Sequence, residues 1–307
     1  MKPAKTEQRN PRSRGLDRKS TIEILRVLNG EDARVAAAVR REMPNVARAV
    51  DAIVQSFRNA GRLIYVGAGT SGRQAVLDAA ECPPTFGTPH KLVQAIIAGG
   101  ERALRFASED AEDSAANGAS DLQGAGVSSR DVVVGVSASG STPFVLGALK
   151  FARERGATTV AVTCNPGSAL THVAQIKIVP DTGPEAVSGS TRLKAGTAQK
   201  MVLNMLSTAS MVRIGRVYDN WMIHLALTNG KLQRRGAQIL QEITGANVSA
   251  AEHALRQTRH DLPAAIVMLK TSASARDARR WMKQASGNVR RAIEIAKHGK
   301  TQHKNRG

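Results

Sequence analysis

The chain has 307 residues, 42% of them hydrophobic, which is enough for a full α/β domain with a smaller unit beside it. Aromatics are only 3%, so Ala, Val, Leu and Ile must fill the core, and no apolar run approaches the roughly 20 residues of a membrane span. The formal net charge is +19. The positive charges are spread along the chain with some bias to its ends, and neither tail interleaves aromatics for base stacking, so a basic host proteome or selection for solubility accounts for them better than nucleic-acid binding.

Residues 1–19 read as an irregular arm, polar and basic, with no apolar segment of the kind that marks a signal peptide. Ser20-Thr21-Ile22-Glu23 places a helix cap ahead of apolar Ile24, Leu25 and Leu28, and Asn29-Gly30 is expected to end that helix. Two more helices are predicted over Asp32–Arg41 and Val46–Asn59. Short β-branched runs then follow at Leu63–Val66, Val93–Ile97, Val132–Val136, Thr158–Val162 and Ile176–Val179. Helical runs separate them at Arg73–Ala80, Arg102–Ala107, Ala115–Leu122 and Pro143–Arg155. This alternation predicts an α/β fold with a parallel five-stranded sheet flanked by helices. Beyond Lys194 the pattern is helical, and Asn247 to about Lys297 reads as a small helical bundle. The expected division is an arm with helices over 1–59, a sheet domain over 60–245 and a helical domain with a basic tail over 246–307. Cys82 and Cys164 show no metal-ligand spacing and need no disulfide, which fits a reducing cytoplasm.

Gly67-Ala68-Gly69-Thr70-Ser71-Gly72-Arg73 stands between a strand and a helix start. A helix N-terminus offers unpaired N–H groups and partial positive charge to an anion, and Gly69, Thr70 and Ser71 are the expected contacts. The spacing fits G-x-G-x-x-G, a weak signal for a dinucleotide, but the second strand ends in Ala98-Gly99-Gly100-Glu101, a poor match for the acidic partner such a site needs. Ser137-Ala138-Ser139-Gly140-Ser141-Thr142-Pro143 is a second hydroxyl-rich turn after a strand, in which Ser137, Ser139 and Thr142 are candidate ligands. One such turn is most simply a helix cap. Two in one sheet favour a phosphorylated small molecule. Gly183-Pro184-Glu185 and Gly189 to Thr197 add hydroxyls and cations at a helix start, with Ser190 and Lys194 as candidate anion contacts and an ordinary N-cap with a salt bridge as the plain alternative. Glu81, ahead of Pro83-Pro84, is placed at the unfavourable end of its helix dipole, a broken local rule of the kind that often marks function. Glu112 lies in the acidic cluster Glu109-Asp110-Ala111-Glu112-Asp113, which on sequence alone is most simply a solvated turn.

Together and in this order these clusters resemble the N-acetylmuramic acid 6-phosphate etherases of the sugar isomerase (SIS) superfamily. The resemblance is carried by Gly67–Arg73 running into Glu81-Cys82-Pro83-Pro84-Thr85-Phe86, by Ala111-Glu112-Asp113-Ser114, Ser139-Gly140 with Thr142-Pro143, Cys164-Asn165-Pro166, and Thr191-Arg192-Leu193-Lys194-Ala195-Gly196-Thr197-Ala198-Gln199-Lys200. It implies an SIS-type sheet and a cytoplasmic, homodimeric lyase. The implied reaction cleaves the D-lactyl ether of N-acetylmuramic acid 6-phosphate, with a phosphorylated amino sugar as substrate and neither metal nor nucleotide as cofactor. It also implies a catalytic pair, Glu81 as the acid at the lactyl oxygen and Glu112 as the base at C2. The chain departs from the family at Ser141, where Arg is usual, and at His224, where Asp is frequent. A phosphosugar sensor related to the glucokinase regulatory protein and an aldose–ketose isomerase are the rival readings. Retention of both glutamates opposes the first and Glu-Cys-Pro-Pro the second.

Overall fold

The structure, a computed structural model, describes residues 4–304 apart from Ala107, Ala226 and Thr228. Residues up to Glu81 together with Pro89–Ser210 form one compact unit, and Cys82–Thr88 with the chain from Met211 form a second.

The first unit opens with three short 3-10 turns, Lys5–Glu7, Pro11–Ser13 and Leu16–Arg18, then helices α1 (Thr21–Asp32), α2 (Val35–Arg41) and α3 (Met43–Arg58). Ser20 and Glu23 close a reciprocal capping box at α1, as their spacing predicts. Strands β1 (Leu63–Gly67), β2 (Val93–Ile97), β3 (Val132–Val136), β4 (Thr158–Val162) and β5 (Ile176–Ile178) pair in the order β2-β1-β3-β4-β5. All four pairings are parallel. Between and after the strands run α4 (Gly69–Phe86), α5 (Ala115–Gly124), α6 (Pro143–Glu154), α7 (Ala169–Val173) and α8 (Lys194–Arg213). β1 and β3 are buried at every residue, the mark of a sheet covered on both faces. Ile64, Val66, Val133, Phe144, Val145, Leu149 and Leu170 form one core layer.

The second unit holds the hairpin β6 (Val217–Tyr218) and β7 (Trp221–Met222), then α9 (Gly230–Thr244), α10 (Val248–Gln257), α11 (Leu262–Thr271), α12 (Ala275–Gln284) and α13 (Val289–Lys304). Asn229, Asn247, Asp261 and Ser274 cap α9 to α12 through their side chains. Such caps satisfy donors that short helices would otherwise leave open. Ile223, Ile239, Leu240, Leu255, Ile266 and Val267 centre the apolar core beneath them. His224 is pushed down to about 4 by burial and by the Arg216 charge.

Three expectations change. The helix expected over Arg102–Ala107 is instead a 3-10 turn, Gly100–Leu104, followed by another at Glu109–Glu112. Gly99 and Gly100, at φ +83° and +64°, make a turn that leaves too few residues for an α-helical nucleus, and Ala107 lies outside the described residues. Asn29-Gly30 does not end α1, which runs two residues further, through Glu31, to Asp32. Pro83-Pro84 does not stop α4 either. Each interior proline removes a hydrogen bond at a cost of about 3 kcal/mol. Burial of Cys82 and Phe86 and a bond from the Gly87 N–H to the Pro83 carbonyl, 2.9 Å, hold the last turn.

A buried ion pair ties the beginning of the unit to its end. Glu31, 2% exposed, meets the Lys194 ammonium, 1% exposed, and it also accepts from Arg12 and from the Asn10 amide at 2.7 Å. Burial pushes the Glu31 carboxyl up, but hydrogen bonds from Arg12, Lys194 and Asn10 and the Lys194 charge outweigh it and hold the carboxyl at about 2, below its ordinary 4.5. A carboxyl held low contributes stability that is fully present above pH 4.5 and is lost as pH falls through about 2. Lys194→Met strands the carboxylate and should cost about 3–5 kcal/mol in urea unfolding at pH 7, and adding Glu31→Leu should recover much of it. In Glu31→Gln the acid slope of the unfolding midpoint below pH 4.5 should flatten.

Candidate active site

In open parallel sheets, ligands sit beyond the carboxyl ends of the strands where the strand order reverses. Here that point lies between β1 and β3, because β1 connects outward to β2 on one side while β3, β4 and β5 run to the other. Gly67 pairs with Val136 at the ends of these strands. The first glycine turn and the second hydroxyl turn therefore leave neighbouring strands side by side, about 4.8 Å apart at their roots.

The first turn is built by close approach. A Cβ on Gly67 would stand 2.7 Å from the Gly72 nitrogen, and one on Gly72 would stand 2.5 Å from Ile97 of β2. The turn thus folds flat against the sheet. Gly69, at φ +51°, begins α4, and a Cβ there would lie 3.2 Å from a carboxylate oxygen of Glu112. The half-buried Glu112 therefore rests directly over the first cradle. Arg73 secures the segment leading to it, donating to the Leu104 and Phe106 carbonyls at 3.2 and 3.0 Å.

Ser71 is buried, and its hydroxyl donates to Gln199 of α8 at 3.0 Å. Thr70 beside it is half-buried. In the second turn the Ser137 hydroxyl lies 2.8 Å from Thr142 and 3.3 Å from Ser139, and it accepts the Gly140 N–H at 3.0 Å. Ser139 and Thr142 are half-buried, while Ser141 is exposed and donates to Ser139 at 2.9 Å. Thus Ser137 braces the turn, and Ser139 and Thr142 present hydroxyls at its rim.

Lys194 does not present its charge to the cradles. Its three ammonium donors go to Glu31, to the Thr182 carbonyl at 3.0 Å and to the Pro184 carbonyl at 2.6 Å. Glu185, fully buried, caps α8 by accepting the Lys194 and Ala195 N–H groups at 3.0 and 2.9 Å, and burial pushes its carboxyl up. Ser190 is half-buried in the turn before α8. Nothing in the local spacing announces Glu185 as a cap, since it stands nine residues before the helix. Also missed by sequence was Asp78, which accepts from Tyr65 at 2.9 Å, Asn204 at 2.7 Å and Ser207 at 3.0 Å and so locks α4 to α8. Burial pushes its carboxyl up against those hydrogen bonds.

Glu81 lies twelve residues beyond Gly69 on continuous α-helix. At 1.5 Å per residue that is about 18 Å along the axis. Glu112 lies over the start of that helix, so the two glutamates are set at different points along α4. Glu81 is exposed and stands five residues before the end of α4 at Phe86, so it does not occupy the helix terminus that its place ahead of Pro83-Pro84 predicts.

Two family models match. One is the glucokinase regulatory protein N-terminal SIS domain, over residues 45–153, and the other is the SIS domain, over 114–209. The N-acetylmuramic acid 6-phosphate etherase of Yersinia pestis (strain Pestoides F) is 51% identical over 288 residues, 94% of this chain and 98% of that protein. The chain belongs to the N-acetylmuramic acid 6-phosphate etherase family. A second etherase, from Yersinia pseudotuberculosis serotype O:1b, matches to the same extent. Among solved structures, phosphoheptose isomerase from Neisseria gonorrhoeae is 18% identical with TM-score 0.48, over 62% of this chain and 98% of that one.

In the etherase-family chain the Ser71 hydroxyl is buried on Gln199, whereas the Thr142 hydroxyl, bonded to Ser137, stands at a half-buried rim. Thr142→Val should weaken inorganic phosphate binding about tenfold, read as a smaller rise in Tm across a phosphate titration, whereas Ser71→Ala should change it less than about twofold. Equal losses in both variants would overturn that division.

Proposed function

We propose that this chain cleaves the D-lactyl ether of N-acetylmuramic acid 6-phosphate by elimination and water addition, giving N-acetylglucosamine 6-phosphate and D-lactate. The observation that carries this reading is 51% identity across nearly the whole length of an etherase, together with a two-turn anion cradle at the switch point of the sheet. The sensor reading is disfavoured by the same identity.

The chemistry divides between binding and proton transfer. Ring opening frees an aldehyde at C1, which acidifies the proton on C2. Glu112 takes that proton, and its place over the N-terminus of α4 suits a group that must be ionised to do so. Lactate leaves from C3 as Glu81 protonates its ether oxygen, and water adds across the resulting double bond. The phosphate is held by Ser139 and Thr142 with the first turn's N–H groups and Thr70. Gly69 gives the substrate close access, and Ser71, Ser137, Ser190 and Lys194 hold the walls of the site rather than the ligand. A positioned acid or base contributes roughly 10²–10⁴-fold.

An acid and a base that serve adjacent carbons must each come within hydrogen-bond reach of one sugar, and about 18 Å of helix lies between Glu81 and Gly69, over which Glu112 rests. We propose that two copies of the chain form a homodimer in which the exposed Glu81 of one copy completes the site that holds Glu112 of the other, in the cytoplasm. Among the described residues no helix is long and apolar enough to cross a membrane.

Incubation with N-acetylmuramic acid 6-phosphate should release D-lactate. Glu81→Ala and Glu112→Ala should each lose at least about 100-fold in kcat and still bind the phosphosugar. Refolding the two inactive variants together should restore about a quarter of wild-type turnover, because half the dimers are mixed and each mixed dimer has one intact site. No recovery in demonstrably mixed dimers would place both glutamates on the same chain's site. Absence of lactate with tight phosphosugar binding would return the sensor reading.

A further inference from the structure

The arm at residues 5–14 is not an irregular appendage. Thr6 is 0% exposed and Asn10 3%, burial that a loosely held terminal segment does not reach. Lys5 pairs with Asp181, Asn10 donates to the Pro184 carbonyl at 3.0 Å, and Arg12 reaches Glu31. The arm is stitched to the loops that follow β4 and β5.

Its innermost contact is with Asn165, which is 4% exposed in the loop after β4. The Thr6 N–H donates to the Asn165 carbonyl oxygen at 3.3 Å, and the Asn165 amide donates back to the Thr6 hydroxyl at 2.9 Å. The same amide nitrogen donates to the Ala138 and Ser139 carbonyls at 3.2 and 3.3 Å. Ala138 and Ser139 are the floor of the second cradle. The Ala138 carbonyl is further held by the Cys164 N–H at 3.1 Å and by the Thr163 hydroxyl at 3.3 Å. Gly140, at φ +67°, closes the turn, where a Cβ would stand 2.1 Å from the Ser168 hydroxyl. The floor thus packs too tightly to find another arrangement at small cost.

Peptide units are planar and trans, so fixing a carbonyl direction fixes the N–H of the same unit in the opposite direction. With the Ala138 and Ser139 carbonyls turned toward Asn165, the N–H groups of Ser139 and Gly140 face away from it. Gly140 spends its N–H on Ser137, and that bond holds Ser137 against Thr142. Among the described residues the Asn165 amide is the one side chain that bonds both carbonyls of the floor, and Thr6 bonds both ends of that amide.

We propose that Thr6 and Asn165 are a positioning pair for the phosphate cradle, so that the N-terminal arm sets affinity for the phosphorylated substrate without touching it. The inference rests on the reading that the second turn holds the phosphate. It adds a residue some 130 positions away in sequence to the determinants of substrate affinity.

Two ligands test it. Thr6→Val removes the hydroxyl and keeps the bulk, Thr6→Ser restores the hydroxyl, and Asn165→Asp sets a carboxylate against two carbonyls while still accepting from Thr6. For Thr6→Val and Asn165→Asp, KM for N-acetylmuramic acid 6-phosphate should rise about tenfold with kcat within about twofold, and inorganic phosphate should bind about tenfold more weakly by calorimetry. Thr6→Ser should stay within about twofold of wild type on both measures. A lower Tm with unchanged KM and phosphate affinity would make the pair merely structural and overturn the proposal, as would an equal loss in Thr6→Ser. If Thr6→Val does not fold, Asn165→Asp alone decides on the same measures. Phosphate binding separates this idea from the reading it rests on. A wild type that releases no lactate, with phosphate affinity that still depends on Thr6, removes the lyase and keeps the pair. A wild type that releases lactate, with phosphate affinity indifferent to both positions, does the reverse.

Discussion

The buried contact between Glu31 and Lys194 is the constraint from which the ligand end of the first unit is built. Two opposite charges, each almost wholly withdrawn from water, are tolerated only because every acceptor and donor is used. Asn10 and Arg12 complete the carboxylate, and the Thr182 and Pro184 carbonyls complete the ammonium. Such a pair adds little net stability over a well-packed apolar one, but removing either half is costly. Its effect is geometric. It joins the end of α1, the arm, the loop after β5 and the first residue of α8, four segments with no reason in local propensity to meet. Once α8 is fixed at its start, Gln199 is in place to hold Ser71, and Asn204 and Ser207 to hold Asp78 of α4. The glycine turn is therefore supported from two sides, by the sheet below it and by α8 beside it.

The sheet order supplies what this bracing protects. Because β1 and β3 are neighbours, two turns separated by about seventy residues of sequence leave the sheet side by side. Each turn by itself is an ordinary strand-to-helix connection. Placed side by side they combine the N–H groups of two helix starts with a cluster of hydroxyls, an arrangement that suits a dianionic phosphate far better than either turn alone.

Much of this was legible in the sequence because it is local. The five strands are short β-branched runs, and their observed limits differ from the predicted ones by a residue at most, at β1 and β5. Both turns were visible as small polar clusters after apolar runs, whereas the helix-end position read for Glu81 does not hold, because α4 runs on to Phe86. What was not legible depends on partners distant in sequence. Lys194 reads as a phosphate cation at a helix start until Glu31, 163 residues away, is seen to take its charge. Ser71 reads as a donor until Gln199 is seen to accept from it. Pro83-Pro84 reads as a stop because the burial of Cys82 and Phe86, which carries α4 past it, is a tertiary effect. Asn165 and Glu185 gave no sign of their roles, since their acceptors and donors belong to loops that the sequence does not pair.

The position of the two glutamates follows from the same division between local and distant. Both belong to motifs adjoining the first cradle, one through the helix it starts and one through the loop that folds back over it. A helix is a rigid ruler, however, and twelve residues of it carry Glu81 about 18 Å along the axis from Gly69, over which Glu112 lies. A chain that needed both groups on one substrate could have shortened α4. Instead α4 continues through two prolines that cost it hydrogen bonds, and it leaves Glu81 exposed with the bulky Leu77, 53% exposed, one turn before it. Leu77 and Glu81, four residues apart, thus set an exposed apolar side chain beside an exposed carboxylate on one face of α4.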